Sequence, residues 1–225
     1  MGNNRRWFRI SLTLLVLPLI FALTGANGDG DRKETAYRWD IVKITNFNPV
    51  TTFEGGFASA LANDGSRITV TGHGTFEPRE PDEVTGGGTW TTFAPDGATV
   101  TGKGTYRVQQ LVRFDLAAGF QGAGTLDNIP GAKGDLTDIR AGLLFVRIAY
   151  SDGSKGVLVV SCHLNGGPDF LERPASPSGI FEGITASKSY VDYFNRVPPI
   201  GAPMPVDGNR TLFHLLREDD NRDRN

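Results

Sequence analysis

Apolar and polar residues alternate along much of this chain, the period of a β-strand rather than of a helix. Tyr106, Val108, Gln110, Val112 and Phe114 fall on one face of a strand, with Arg107, Gln109, Leu111 and Arg113 on the other. Leu144, Val146, Ile148 and Tyr150 make a second apolar row, and Leu158, Val160, Cys162 and Leu164 a third. The opposite faces still carry Leu111, Leu143, Phe145, Val157 and Val159, so the pattern predicts that something covers part of the outer surface. Asn63-Asp64-Gly65, Pro95-Asp96-Gly97 and Ser151-Asp152-Gly153 separate such runs. Each offers a residue that tolerates a left-handed conformation next to a glycine, which is a hairpin signal. Residues 77–83, with Pro78 and Pro81, read as a longer exposed connection. One segment shows the helical period instead. Tyr190, Val191, Phe194 and Val197 form a stripe that predicts a short helix from Ser187 to Arg196, stopped by Pro198 and Pro199. Thr211–Leu216 reads as a closing strand.

Within the strands lies a repeat. Val-Thr-Gly-x-Gly-Thr-aromatic occurs at Val70–Phe76, Val84–Trp90 and Val100–Tyr106, with a degenerate copy over Gly122–Leu126. The first glycines of the full copies, Gly72, Gly86 and Gly102, are 14 and 16 residues apart. That is one long strand plus a turn, repeated in a meander. The two glycines and the aromatic of each copy share a face. Glycine inside a strand marks a bend or a close backbone approach, and barrels use such bends with aromatics laid over the bare positions. The fold expected is therefore all-β, an antiparallel meander closing into a barrel of about eight strands, with one short helix near the C-terminus. A β-sandwich is the alternative. A five-residue loop over Phe93–Gly97 would set Trp90 opposite Val100 and Gly88 opposite Gly102. A four-residue loop would pair Trp90 with Thr101 and put Trp90 and Tyr106 on opposite faces.

The N-terminus changes the setting. Arg5, Arg6 and Arg9 precede an apolar run from Ile10 to Leu23, followed by Thr24-Gly25-Ala26. This is the tripartite pattern of a secretory signal peptide, and the run is shorter than the roughly 20 apolar residues of a membrane span. The organisation expected is a signal peptide over 1–26, a single β domain over 27–216 and a disordered charged tail over 217–225, in a secreted or periplasmic protein that is not integral to the membrane after cleavage. Of 225 residues one is cysteine, so no internal disulfide forms, and packing must supply stability. The formal charge is −2. No basic run suggests a nucleic-acid footprint, and no nucleic-acid partner is expected.

Gly179-Ile180-Phe181-Glu182-Gly183 resembles the Gly-aromatic-Gly strand motif of allene oxide cyclase-type and dirigent-type barrels, which are calycin-like. The resemblance implies a barrel with a lumen for an apolar small molecule. It transfers no catalytic residue.

Candidate chemistry is sparse. Cys162 and His163 are neighbours on a strand and point to opposite faces, so they cannot act as a thiolate–imidazole pair. His73, His163 and His214 show no zinc-type spacing, and neither metal nor cofactor is expected. Gly86-Gly87-Gly88 and Gly102-Lys103-Gly104 lead into strands, not helices, and so are not nucleotide loops. Asn209-Arg210-Thr211 matches a glycosylation sequon. Gln110, alone among apolar neighbours, needs a hydrogen-bond partner. Trp90, Tyr106, Gln110 and Tyr150 fall on expected inner faces and offer an apolar wall with a few polar tips, as small-molecule pockets do. The leading expectation is an exported, non-catalytic barrel that binds a small apolar or amphipathic molecule at these four residues. A structural or protein-interaction β domain with a filled core is the alternative, and a lumen isomerase or cyclase a further one.

Overall fold

A computed structural model describes residues 35–47, 50–117, 125–129, 138–162, 182–200 and 208–216. These residues form strands: β1 (Ala36–Phe47), β2 (Val50–Glu54), β3 (Ala58–Leu61), β4 (Arg67–Val70), β5 (His73–Glu77), β6 (Glu80–Val84), β7 (Gly87–Phe93), β8 (Val100–Leu116), β9 (Thr125–Asp127), β10 (Ile139–Arg140), β11 (Gly142–Tyr150), β12 (Lys155–Cys162), β13 (Gly183–Lys188), β14 (Val191–Tyr193), β15 (Asn195–Val197) and β16 (Arg210–Leu216). The fold is all-β, as the alternation predicts. Among the described residues no helix is long and apolar enough to cross a membrane.

All the strands belong to one sheet, whose main path runs β10-β16-β1-β5-β7-β8-β11-β12-β13-β14. From it branch β4, β3 and β15 in series off β7, β2 and β9 off β1, and β6 off β5. The sheet is mixed, because β2 and β9 pair in parallel. It is not closed into the expected barrel. The glycines do bend the strands, but the bends serve to change partners. Residues 67–70 pair with β3 and β7, and after Gly72 the same chain continues as β5 against β1 and β6. Gly86, at φ +120°, makes the matching corner between β6 and β7.

Three further expectations are corrected. Residues 187–196 are not a helix. They finish β13, turn at Ser189 (φ 55°) and Tyr190, and return as β14 and β15. The helical stripe was a coincidence of spacing, for Tyr190 stands fully exposed at the turn and Phe194 is half exposed. Residues 77–83 are not a long loop either, since Glu77 pairs with Glu80 and β6 runs on from there. Third, β8 does not alternate cleanly. Two register shifts against β11 bulge out Gln109 and Val112. Leu111 thereby turns inward and is buried, Val112 is 54 % exposed, and Gln110 pairs with outward-facing Arg147. A bulge inserts one residue and reverses every side chain beyond it.

The hairpins hold. Gly65, Gly97 and Gly153 take φ of +82°, +70° and +87° in the three anticipated turns. The middle loop is longer than either expected form, because Asp96 accepts from the amides of Ala98 and Thr99 and extends the turn until Phe93 meets Val100. The inner faces converge on a core of Trp39, Phe76, Phe213, Ile68, Leu144, Ile148 and Leu158, all below 2 % exposed. Phe114 packs edge-on to Phe76 and Phe213, with centroids at 4.8 and 5.2 Å.

Candidate functional site

The sheet brings three of the four sequence-predicted site residues together. Trp90 lies T-shaped to Tyr150 at 5.7 Å, and Tyr106 is 6.4 Å from the same ring. Their strands β7, β8 and β11 are successive in the sheet, and the three side chains share its inner face. Gln110 is elsewhere: the first β8 bulge sets it beside Arg147, on the outer side.

The polar tips of the three aromatics are all used within the protein. Trp90 Nε1 donates to the Thr105 carbonyl at 3.1 Å, Tyr106 Oη to Thr71 at 2.7 Å and Tyr150 Oη to Ser187 at 2.9 Å. Burial pushes both phenols above their ordinary range, so they act as donors at neutral pH. Lys188 caps the group, with Nζ 4.4 Å from the Trp90 ring and 5.1 Å from Tyr150, while Asp152 pairs with its ammonium. No ring is more than 4 % exposed. The result is a packed layer of three aromatics that each donate within the protein, whereas the buried Nε1 of neighbouring Trp39 has no hydrogen-bond partner among the described residues.

The repeat glycines are the floor of this layer. Between copies one and two they meet each other: Val70 pairs with Trp90, His73 with Gly87, and Phe76 with Val84. Trp39 of β1 covers the bare patch. A Cβ on Gly74 would stand 2.2 Å from the Thr85 carbonyl and 2.7 Å from Trp39 Nε1. Between copies two and three the pairing differs: two glycines meet aromatics, while Gly102 lies opposite Thr92. Trp90 lies opposite Gly104 and Tyr106 opposite Gly88. Trp90 and Tyr106 therefore share a face, although the register is neither of those expected. On the outer face the repeat threonines bond across copies one and two, Thr75 to Thr85 at 2.7 Å and Thr71 to Thr89 at 2.9 Å.

A buried polar cluster lies on the other face of β1. The guanidinium of Arg38 forks onto Asp40 at 2.7 and 2.8 Å and also bonds Glu54. Nε2 of His214 lies 2.9 Å from Oδ2 of Asp127, out of line for a straight hydrogen bond. Asp127 accepts from Thr52 Oγ1 and from the Ile129 amide. Burial, with Glu54 and Asp127 nearby, outweighs Arg38 and pushes Asp40 up to about 7. Burial also raises Asp127 and, with Arg38 close, lowers His214 to about 4. An imidazole beside a carboxylate can shuttle protons only where a substrate reaches it. Here the two side chains are 2 % and 4 % exposed. The cluster's evident work is to fasten β2, β9 and β16 to β1. The sequence reading missed it, although Tyr37-Arg38-Trp39-Asp40-Ile41 alternates plainly enough to flag charged residues on a strand.

Cys162 is fully buried, as its apolar row predicts. His73 is exposed, and His163 lies outside the described residues. Among the described residues no group of His, Cys, Asp and Glu could hold a metal. Asn209 of the sequon accepts from the Ser59 amide at 2.7 Å and donates to Val197 at 2.7 Å, so its side-chain amide is engaged in the folded chain. No family model matches this chain, no curated protein matches it, and no solved structure matches it. Of the calycin-like motif, residues 179–181 lie outside the described residues.

Proposed function

We propose that this protein is a non-catalytic, exported β domain with a filled interior, and that it works through its outer surface as a structural or interaction module. The observation that carries this reading is that Trp90, Tyr106 and Tyr150 spend every polar tip on a backbone carbonyl and fill the space between them. A ligand pocket keeps convergent polar groups for its guest. A filled core satisfies them locally, because a buried polar group without a partner costs about 1–3 kcal/mol.

Stability and apolar-ligand uptake measured together on Tyr106→Phe test the reading. A filled core predicts lost stability and no uptake of an apolar fluorescent probe by either the natural protein or the variant. Saturable, stoichiometric probe binding that Tyr106→Phe abolishes at unchanged stability would favour a small-molecule lumen instead. For export, N-terminal sequencing of the mature product should begin at Asn27.

A further inference from the structure

The outer faces of β8, β11 and β12 carry an arrangement that the linear sequence hides. These three strands hold Lys103, Arg107, Arg113, Arg147 and Lys155 and a single carboxylate, Asp115, on a chain of net charge −2. Asp115 is taken by Arg113 at 2.7 Å. Lys103, Arg107, Arg147 and Lys155 are exposed, and none has a carboxylate within ion-pair distance among the described residues. Arg107 and Lys155 flank Ala149 from either side, and Arg147 follows two residues along β11. At a strand spacing of about 4.8 Å, Arg107 and Lys155 stand roughly 10 Å apart. Apolar side chains fill the gaps between these cations. Val112 and Val157 are 54 % and 37 % exposed, and Phe145, Leu143 and Val159 are half-buried beside them.

We propose that this face docks onto an anionic lipid bilayer. The proposal rests on the reading that the protein works through its surface. The cations are spread over a sheet face and do not converge, so they suit an extended anionic surface rather than one bound anion. The aliphatic side chains choose among extended anions. A soluble polyanion would engage the cations and leave Val112 and Val157 in water. The headgroup boundary of a bilayer takes both, anionic phosphates against the cations and acyl-chain edges against the valines. The β8 bulge at Val112 matters here, because it is what turns that side chain outward to solvent.

The test is co-sedimentation of the protein with vesicles of phosphatidylcholine alone and with vesicles in which phosphatidylglycerol replaces part of it. Binding is expected to the anionic vesicles only, weakening as salt is raised. Arg107→Glu with Arg147→Glu should cut partitioning at least tenfold at an unchanged melting temperature, since each cation near such a surface contributes about fivefold. Val112→Ser with Val157→Ser, which alters no charge, should cut it several-fold. Absence of binding to anionic vesicles, or equal binding by the charge-reversed variant, overturns the proposal. Charge-dependent retention on a sulfated polysaccharide resin, with no vesicle binding, also overturns it and makes the partner a soluble polyanion. None of these results touches the filled core, which fails separately if the purified protein carries a stoichiometric small molecule.

Discussion

The hydroxyl of Tyr106 donates to the carbonyl of Thr71 across 2.7 Å, tying the third copy of the glycine repeat to the first. The two strands concerned are not neighbours, for β7 lies between β4 and β8. The bond passes over Gly72, where a Cβ would come within 2.2 Å of the Tyr106 hydroxyl. Gly72, between β4 and β5, thus leaves room for an aromatic tip to reach across the intervening strand.

Tyr106→Phe keeps the ring and leaves the Thr71 carbonyl without this donor. The expected loss is about 1–2 kcal/mol, read as a lower urea midpoint at unchanged slope. An unchanged midpoint would mean that the bond contributes nothing to the fold.

Gly74 and Gly55 separate two uses of glycine. Gly55 has φ +83° and open space where a Cβ would go, so Gly55→Ala carries only backbone strain, about 1–2 kcal/mol. A Cβ on Gly74 would meet the Thr85 backbone and the Trp39 indole, so Gly74→Ala should cost about 3 kcal/mol or more. Comparable thermal shifts for the two variants would contradict the packing of Trp39 against the repeat.

Much of this arrangement was legible in the sequence. The repeat announced glycines beneath aromatics, and the hairpins at Gly65, Gly97 and Gly153 followed from turn chemistry. The Gly-beside-Gly, aromatic-opposite-Val register anticipated for copies two and three occurs instead between copies one and two. Loop chemistry explains the difference: Asp96 bonds two following amides and lengthens the turn. The β8 bulges did leave a trace in the sequence: strict alternation over Val-Gln-Gln-Leu-Val puts Gln110 inward and Leu111 outward, and a bulged residue on either side of that pair removes both violations. Bulges also explain why Gln110 left the site and Val112 reached the surface. The Arg38–Asp40–Asp127–His214 cluster joins residues up to 176 positions apart, and the β1–β16, β1–β2 and β2–β9 pairings together assemble it.

That cluster sets a pH signature. Asp40 rises from 3.8 to about 7 on folding, so its contribution to stability is complete below pH 3.8 and is lost as pH rises through 7. His214 falls from 6.5 to about 4, so its contribution is present above pH 6.5 and is lost as pH falls through 4. Between about pH 4 and 6.5 the two slopes oppose each other, each worth up to about 1.4 kcal/mol per pH unit. His214→Gln should leave stability falling as pH rises across that window, steepened by raised Asp127. Asp40→Asn should tilt the profile the other way. Urea titrations at several pH values check this, and identical slopes in both variants would contradict it.

Cys162 is fully buried and should react slowly with a thiol reagent in the native state and rapidly once urea unfolds the chain. Fast native labelling would place the thiol at an opening that the described residues do not show.

The claim that the interior is filled by its own side chains is tested most directly by native mass spectrometry of the protein purified from its source compartment. A filled interior gives a mass equal to that of the polypeptide alone, the same under native and denaturing conditions. A small-molecule adduct present at one equivalent in the native spectrum and released on denaturation would contradict it.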